Sequence, residues 1–203
     1  DKNLAGLPKT SLNRKISLLD IGARGGVGWP WDVASSKNIS IILVEPDLEE
    51  VELLKAHNQY EILPYALWSK EEELTLNINH SPGTSSVFTA NMDFLNQFDD
   101  SGRFKVRDKL IINTKTIDSL ANECKLTNVD FAKIDVQGAE LAILQGGENF
   151  FRDSLVGLEV EVEFSQIYKE QPLFSDVDVF VREKLGLELW DIRKTYWKYK
   201  QKE

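Results

Sequence analysis

Leu18-Leu19-Asp20-Ile21-Gly22-Ala23-Arg24-Gly25-Gly26-Val27-Gly28 is the stretch whose reading decides the fold. The apolar run Ile16 to Ile21 reads as a buried strand, and a helical segment is expected after the turn. Glycines there let the backbone turn sharply and approach a ligand without a side chain in the way. In a parallel sheet this place, at the carboxyl end of a strand, is where ligands sit. Ile39 to Val44, rich in β-branched residues, is the next strand, and Glu45 follows it twenty-three positions after Gly22. A carboxylate there suits the vicinal hydroxyls of a ribose. A pyrophosphate turn would read G-x-G-x-x-G, but Arg24 stands at its second glycine and the acid Asp20 precedes the turn. That acid repels a pyrophosphate and suits a cation or an amino group. S-adenosylmethionine offers both, so the residues favour it.

Strand-like runs and helical patterns alternate along most of the chain, which predicts an α/β fold with a parallel sheet. Asp47 with Glu50 forms an expected capping box for a helix burying Leu48, Val51 and Leu54. Tyr60–Leu63, Phe131–Val136, Leu158–Phe164 and Leu187–Ile192 read as further strands. Helices are expected from Thr116 (with Ile117, Leu120, Ala121 and Cys124 on one face), over Glu140–Gln145, and from Ser175 to Gly186. His57, late in its helix, reads as a surface residue. Residues 71 to 116 break the pattern: Leu74, Leu76 and Ile78 alternate with polar residues, and Leu110–Asn113 resembles a second strand. This β insertion (about 71–115) decorates a single domain over 16–203, and residues 1–15 form a polar N-terminal extension.

The formal net charge of −9, from 24 basic and 33 acidic side chains, makes nucleic acid an unlikely partner. One cysteine excludes an internal disulfide framework. No signal-type or membrane-spanning apolar run is visible, and a cytoplasmic location is expected.

The chain resembles the FkbM-type S-adenosylmethionine-dependent methyltransferases over about residues 16 to 197. The matching residues are Asp20-Ile21-Gly22-Ala23-Arg24-Gly25-Gly26, Val44-Glu45-Pro46-Asp47, Ala66-Leu67-Trp68 and Ser85-Ser86. Thr116-Ile117-Asp118-Ser119-Leu120 and Lys133-Ile134-Asp135-Val136-Gln137-Gly138-Ala139-Glu140 follow, then Glu161-Val162-Glu163-Phe164 with Tyr168 and Gln171-Pro172-Leu173-Phe174. The resemblance implies a Rossmann-like seven-stranded sheet with helices on both faces, and methyl transfer, typically to a hydroxyl oxygen. It places Asp20, Gly22 and Ala23 at the methionine end of the cofactor, Glu45 at the ribose, and Ala66 and Leu67 at the adenine, with Arg24, Gly25, Gly26 and Pro46 also at the cofactor. Asp135 borders the cofactor as well, while Ser85, Ser86 and Tyr168 are expected at the acceptor. Six of the seven strands are legible; the closing pair lacks its second member unless Trp197 to Lys200 supplies it.

Strands covered on both faces should be apolar throughout, yet Glu159, Glu161 and Glu163 alternate and share one face. Lys133 and Asp135 share a face of the neighbouring strand. A polar stripe is therefore expected where the two meet, with Lys133 pairing Glu159 or Glu161. A carboxylate or histidine within hydrogen-bond reach can take the proton of an attacking hydroxyl. Asp135 is the first candidate for that base, then Glu161 and Glu163, then His80 in the loop Asn79–Ser86. No metal is expected. The acceptor is expected to be a glycan, nucleotide-sugar or natural product, a guess resting on the resemblance alone. The rival readings are a nicotinamide-dependent oxidoreductase and a cofactor-binding domain without catalysis serving in an assembly.

Overall fold

The structure is a computed structural model describing residues 14–33, 37–57, 60–123 and 125–195. Cys124, the side chain of His57, most of the N-terminal extension and the segment Trp197 to Lys200 lie outside the described residues. The strands, in chain order, are β1 (Ile16–Ile21), β2 (Ile39–Val44), β3 (Glu61–Leu63), β4 (Ala66–Leu67), β5 (Glu73–Asn79), β6 (Val106–Lys115), β7 (Phe131–Ile134) and β8 (Gly157–Val160). The helices are α1 (Leu48–His57), α2 (Met92–Leu95), α3 (Ile117–Asn122), α4 (Glu140–Gly146), α5 (Glu148–Ser154) and α6 (Phe174–Phe180).

Five strands form the central sheet in the order β3-β2-β1-β7-β8, all parallel. Period-two alternation sends Leu19, Ile21, Ile42, Val44, Ala132 and Ile134 to one face, where they meet Ile117, Leu120, Leu144, Phe151 and Val177 in the main core. Leu18, Ile41 and Leu43 point the other way, toward Leu54 of α1. The expected α/β fold with a parallel sheet is present. Among the described residues the central sheet has five strands.

Several expectations need correction. Leu187–Ile192 forms no strand: it has no ladder partner among the described residues, and Trp190 stands 93% exposed. β8 stops at Val160 rather than Phe164, because β7 ends at Ile134 and offers only one further bond, from Glu161 N–H to the Ile134 carbonyl. The helical segment expected after the glycine turn is a single 3-10 turn, Trp31–Val33. At α1 Asp47 does accept from the Glu49 amide (3.0 Å), but Glu50 does not return to it and Leu48 is exposed. The cap amide of Asp47 goes instead to Glu45 (2.9 Å).

The insertion is a second sheet, order β4-β6-β5, with β5 and β6 antiparallel. Below it Ala90, Leu95, Phe104, Ile167 and Tyr168 form a separate buried cluster. The backbone of Tyr168 bridges to Ala90, so the insertion is fastened to the segment after β8. No helix among the described residues is long and apolar enough to cross a membrane.

Candidate active site

The glycine turn is pinned from both sides. Val44 O accepts from the amides of Gly22 (3.0 Å) and Ala23 (3.3 Å), and the Asp135 amide donates to Ile21 O (3.1 Å). Gly22 has φ +83°, and a Cβ there would lie 2.0 Å from the Asp135 carbonyl oxygen, so only glycine fits. That contact, rather than a ligand, fills the space a side chain would take. Gly25 (φ +78°) differs: a Cβ there would meet nothing within 4 Å. Arg24 is committed within the protein, donating to Asp47 (2.5 Å) and Glu50 (3.1 Å), while the Gly25 amide donates to Glu50 (2.9 Å). The turn is thus clamped to the start of α1.

Asp20 sits at the tip of β1, wholly buried. The register places Asp20, Lys133 and Glu159 in one row across β1, β7 and β8. Lys133 pairs Asp20 (Nζ to Oδ1, 3.1 Å), not Glu159 or Glu161 as expected. Glu159 is answered instead by Arg193 and by Trp31 Nε1 (3.2 Å). Burial raises the Asp20 pKa, against the pull of Lys133, and Asp20 Oδ2 has no hydrogen-bond partner. Glu45, also buried, is likewise raised by burial.

At the tips of β7 and β8 the carboxylates gather. Asp135 and Glu161 face each other across Gln137, whose Nε2 donates to Asp135 Oδ1 (3.3 Å) and Glu161 Oε2 (2.9 Å). The groove walls strip water from Glu161 and, with Asp135 beside it, hold its pKa well above the ordinary glutamate range. Glu163 is raised by burial as well. These side chains line a groove of about 1390 Å³ that also contains Glu159 and Arg193.

Other expected site residues land elsewhere. His80 is exposed on the insertion and does not line the groove. Tyr168 and Ser86 are buried, and their hydroxyls are spent inside the protein: Tyr168 on Thr84 O (2.7 Å) and Gln137 Oε1 (3.1 Å), Ser86 on Gln137 O (2.6 Å). Ser85 Oγ accepts from the Asn79 amide. None of the three is among the described residues that line the groove. Ala66 and Leu67 are buried in β4, and Pro46 is exposed beside Glu45. Among the described residues no group of three acids, histidines or cysteines gathers as a metal site.

Sequence reasoning assigned no role of their own to Gln137 and Glu140. Glu140 Oε1 accepts from the amides of Val136 (3.0 Å) and Gly138 (3.1 Å), closing the loop that carries Asp135. Burial pushes its pKa up to about 7 from 4.5, against those hydrogen bonds. Its folded pKa lies above the unfolded one, so its contribution is full below about pH 4.5 and is lost as pH rises through about 7. Glu140→Gln keeps the accepting oxygen and removes the titration. The parent should lose about 3 kcal/mol more stability than the variant from about pH 4.5 to mildly alkaline buffer. Urea melts at both ends of that range check this; matching pH dependences would contradict it.

Five parallel strands in this order, with a glycine turn and acids at the carboxyl ends of β1 and β2, define a Rossmann-like α/β protein. The family model of the methyltransferase FkbM domain matches residues 20–187, and the chain belongs to that family of methyltransferases. No curated protein and no solved structure matches the chain.

Proposed function

We propose that this methyltransferase moves a methyl group from S-adenosylmethionine to a hydroxyl oxygen of a glycan, nucleotide-sugar or natural-product acceptor. The observation that carries the cofactor reading is the buried, unpartnered Oδ2 of Asp20 beneath a turn that is open at Gly25. A buried acceptor with no donor costs about 1–3 kcal/mol, and a cationic ligand at this end relieves it. Asp20 and the glycine turn would hold the methionine end, and Glu45 the ribose. Arg24 keeps the turn in place through Asp47 and Glu50. When bound, the cofactor supplies an electrophilic methyl group.

The chain's own residues then do the rest. Asp135 takes the proton from the acceptor hydroxyl, and the groove walls hold that hydroxyl in line with the methyl group. Glu163 orients the acceptor from the outer end of the groove. The whole of 16–203 is one catalytic unit. The test is mass spectrometry of glycans and metabolites from cells with and without the protein. A species carrying one added methyl on oxygen is expected; a species changed by oxidation or reduction would overturn the reading.

A further inference from the structure

Gln137 is a residue that neither composition nor spacing singled out, yet the groove is organised around it. Its backbone sits at φ +60°, a conformation uncommon for a side chain with a Cβ. Three contacts hold it there. Ser86 Oγ donates to its carbonyl (2.6 Å), the Tyr168 hydroxyl lies 3.1 Å from Oε1, and Nε2 reaches the two carboxylates. The amide nitrogen faces Asp135 and Glu161, and the amide oxygen faces Tyr168. The single hydroxyl hydrogen of Tyr168, a wholly buried residue, is shared between Thr84 O and Gln137 Oε1, so Tyr168 backs the oxygen side of the amide. Backbone strain retained at a site is a pointer to function when the surroundings over-determine it, as here.

We propose that Gln137 is a positioning residue: its amide, backed by Tyr168, holds the carboxyl groups of Asp135 and Glu161 side by side facing the groove, so that Asp135 is presented as the base. The inference rests on the proposed role of Asp135. Glu161 has hydrogen-bonding reach to Asp135 and feels Glu140 and Glu163, and Tyr168 feels these acids and Arg103 of the insertion. A donor to the Glu161 carboxylate favours its charged form, so removing it must raise the pH at which Glu161 gives up its proton.

Gln137→Gly removes the amide and relaxes the positive φ, so the fold should survive. Tyr168→Phe leaves the amide in place but unanchored. The measurement is a pH titration of the Glu161 side-chain carboxyl by carbon-13 NMR, beside a calorimetric titration with S-adenosylmethionine. For Gln137→Gly the Glu161 midpoint is expected to rise by about one unit, the size of one hydrogen bond to a charged group, with cofactor affinity within about twofold of the parent. Tyr168→Phe should move the midpoint in the same direction by a smaller amount. A folded Gln137→Gly variant with the parent's midpoint would overturn the proposal. Should that variant fail to fold, an unmoved midpoint in Tyr168→Phe would overturn it as well. Failure of the parent itself to bind the cofactor would strike the functional reading instead, and is seen separately.

Discussion

Gly22→Ala is expected to lower the stability of the protein by about 4 kcal/mol or more. The added Cβ would stand 2.0 Å from the Asp135 carbonyl oxygen and 3.1 Å from Val136 Cγ1, at a φ of +83°. Neither neighbour can yield cheaply, since the Asp135 amide is itself bonded to Ile21 O and the loop is closed by Glu140. For a chain of this length the melting temperature should fall by about 8–16 °C. Gly25→Ala is the internal control: it has the same sign of φ but open space, so only the backbone penalty of about 1–2 kcal/mol applies. A Gly22→Ala variant melting within about 2 °C of the parent would show that β1 and β7 do not approach as described. If Gly25→Ala stays folded yet loses the cofactor, the open side of the turn is where the ligand lies.

Asp135→Asn carries the second large effect. The asparagine is nearly the same shape and its oxygen can still accept from Gln137, so fold and cofactor affinity should change little. The site loses the group proposed to take the acceptor proton, and positioned general bases are worth about 10²–10⁴ in rate. Turnover of the acceptor identified by its added methyl should fall by that factor, while the dissociation constant of S-adenosylmethionine stays within about threefold. A variant with tenfold or less loss of turnover would move the role of base to Glu161 or Glu163.

The β1 tip was legible in the sequence because its evidence is local: a strand, a glycine turn and an acid lie within a dozen residues. The second strand and Glu45 were legible for the same reason. The partner of Lys133 was not. Its choice depends on β7 lying between β1 and β8, which puts Asp20 and Glu159 on either side of one lysine. The buried carboxylate, having no other cation, takes it. Helix α5 went unread because it starts at Glu148 directly after α4, with no side-chain cap to announce it. Leu187–Ile192 has the alternation of a strand, but alternation makes a strand only beside a partner. Gln137 could not be found by spacing, since what makes it special is a positive φ and contacts with Ser86 and Tyr168 from far along the chain.

The most direct measurement is a calorimetric titration of the protein with S-adenosylmethionine, run beside a nicotinamide dinucleotide and repeated on Glu45→Ala. Saturable heat with the sulfonium nucleoside alone, weakened at least tenfold by Glu45→Ala, is the predicted result. Heat with the nicotinamide dinucleotide instead, or equal affinity in the parent and in Glu45→Ala, would contradict the placement of the ligand at the tips of β1 and β2.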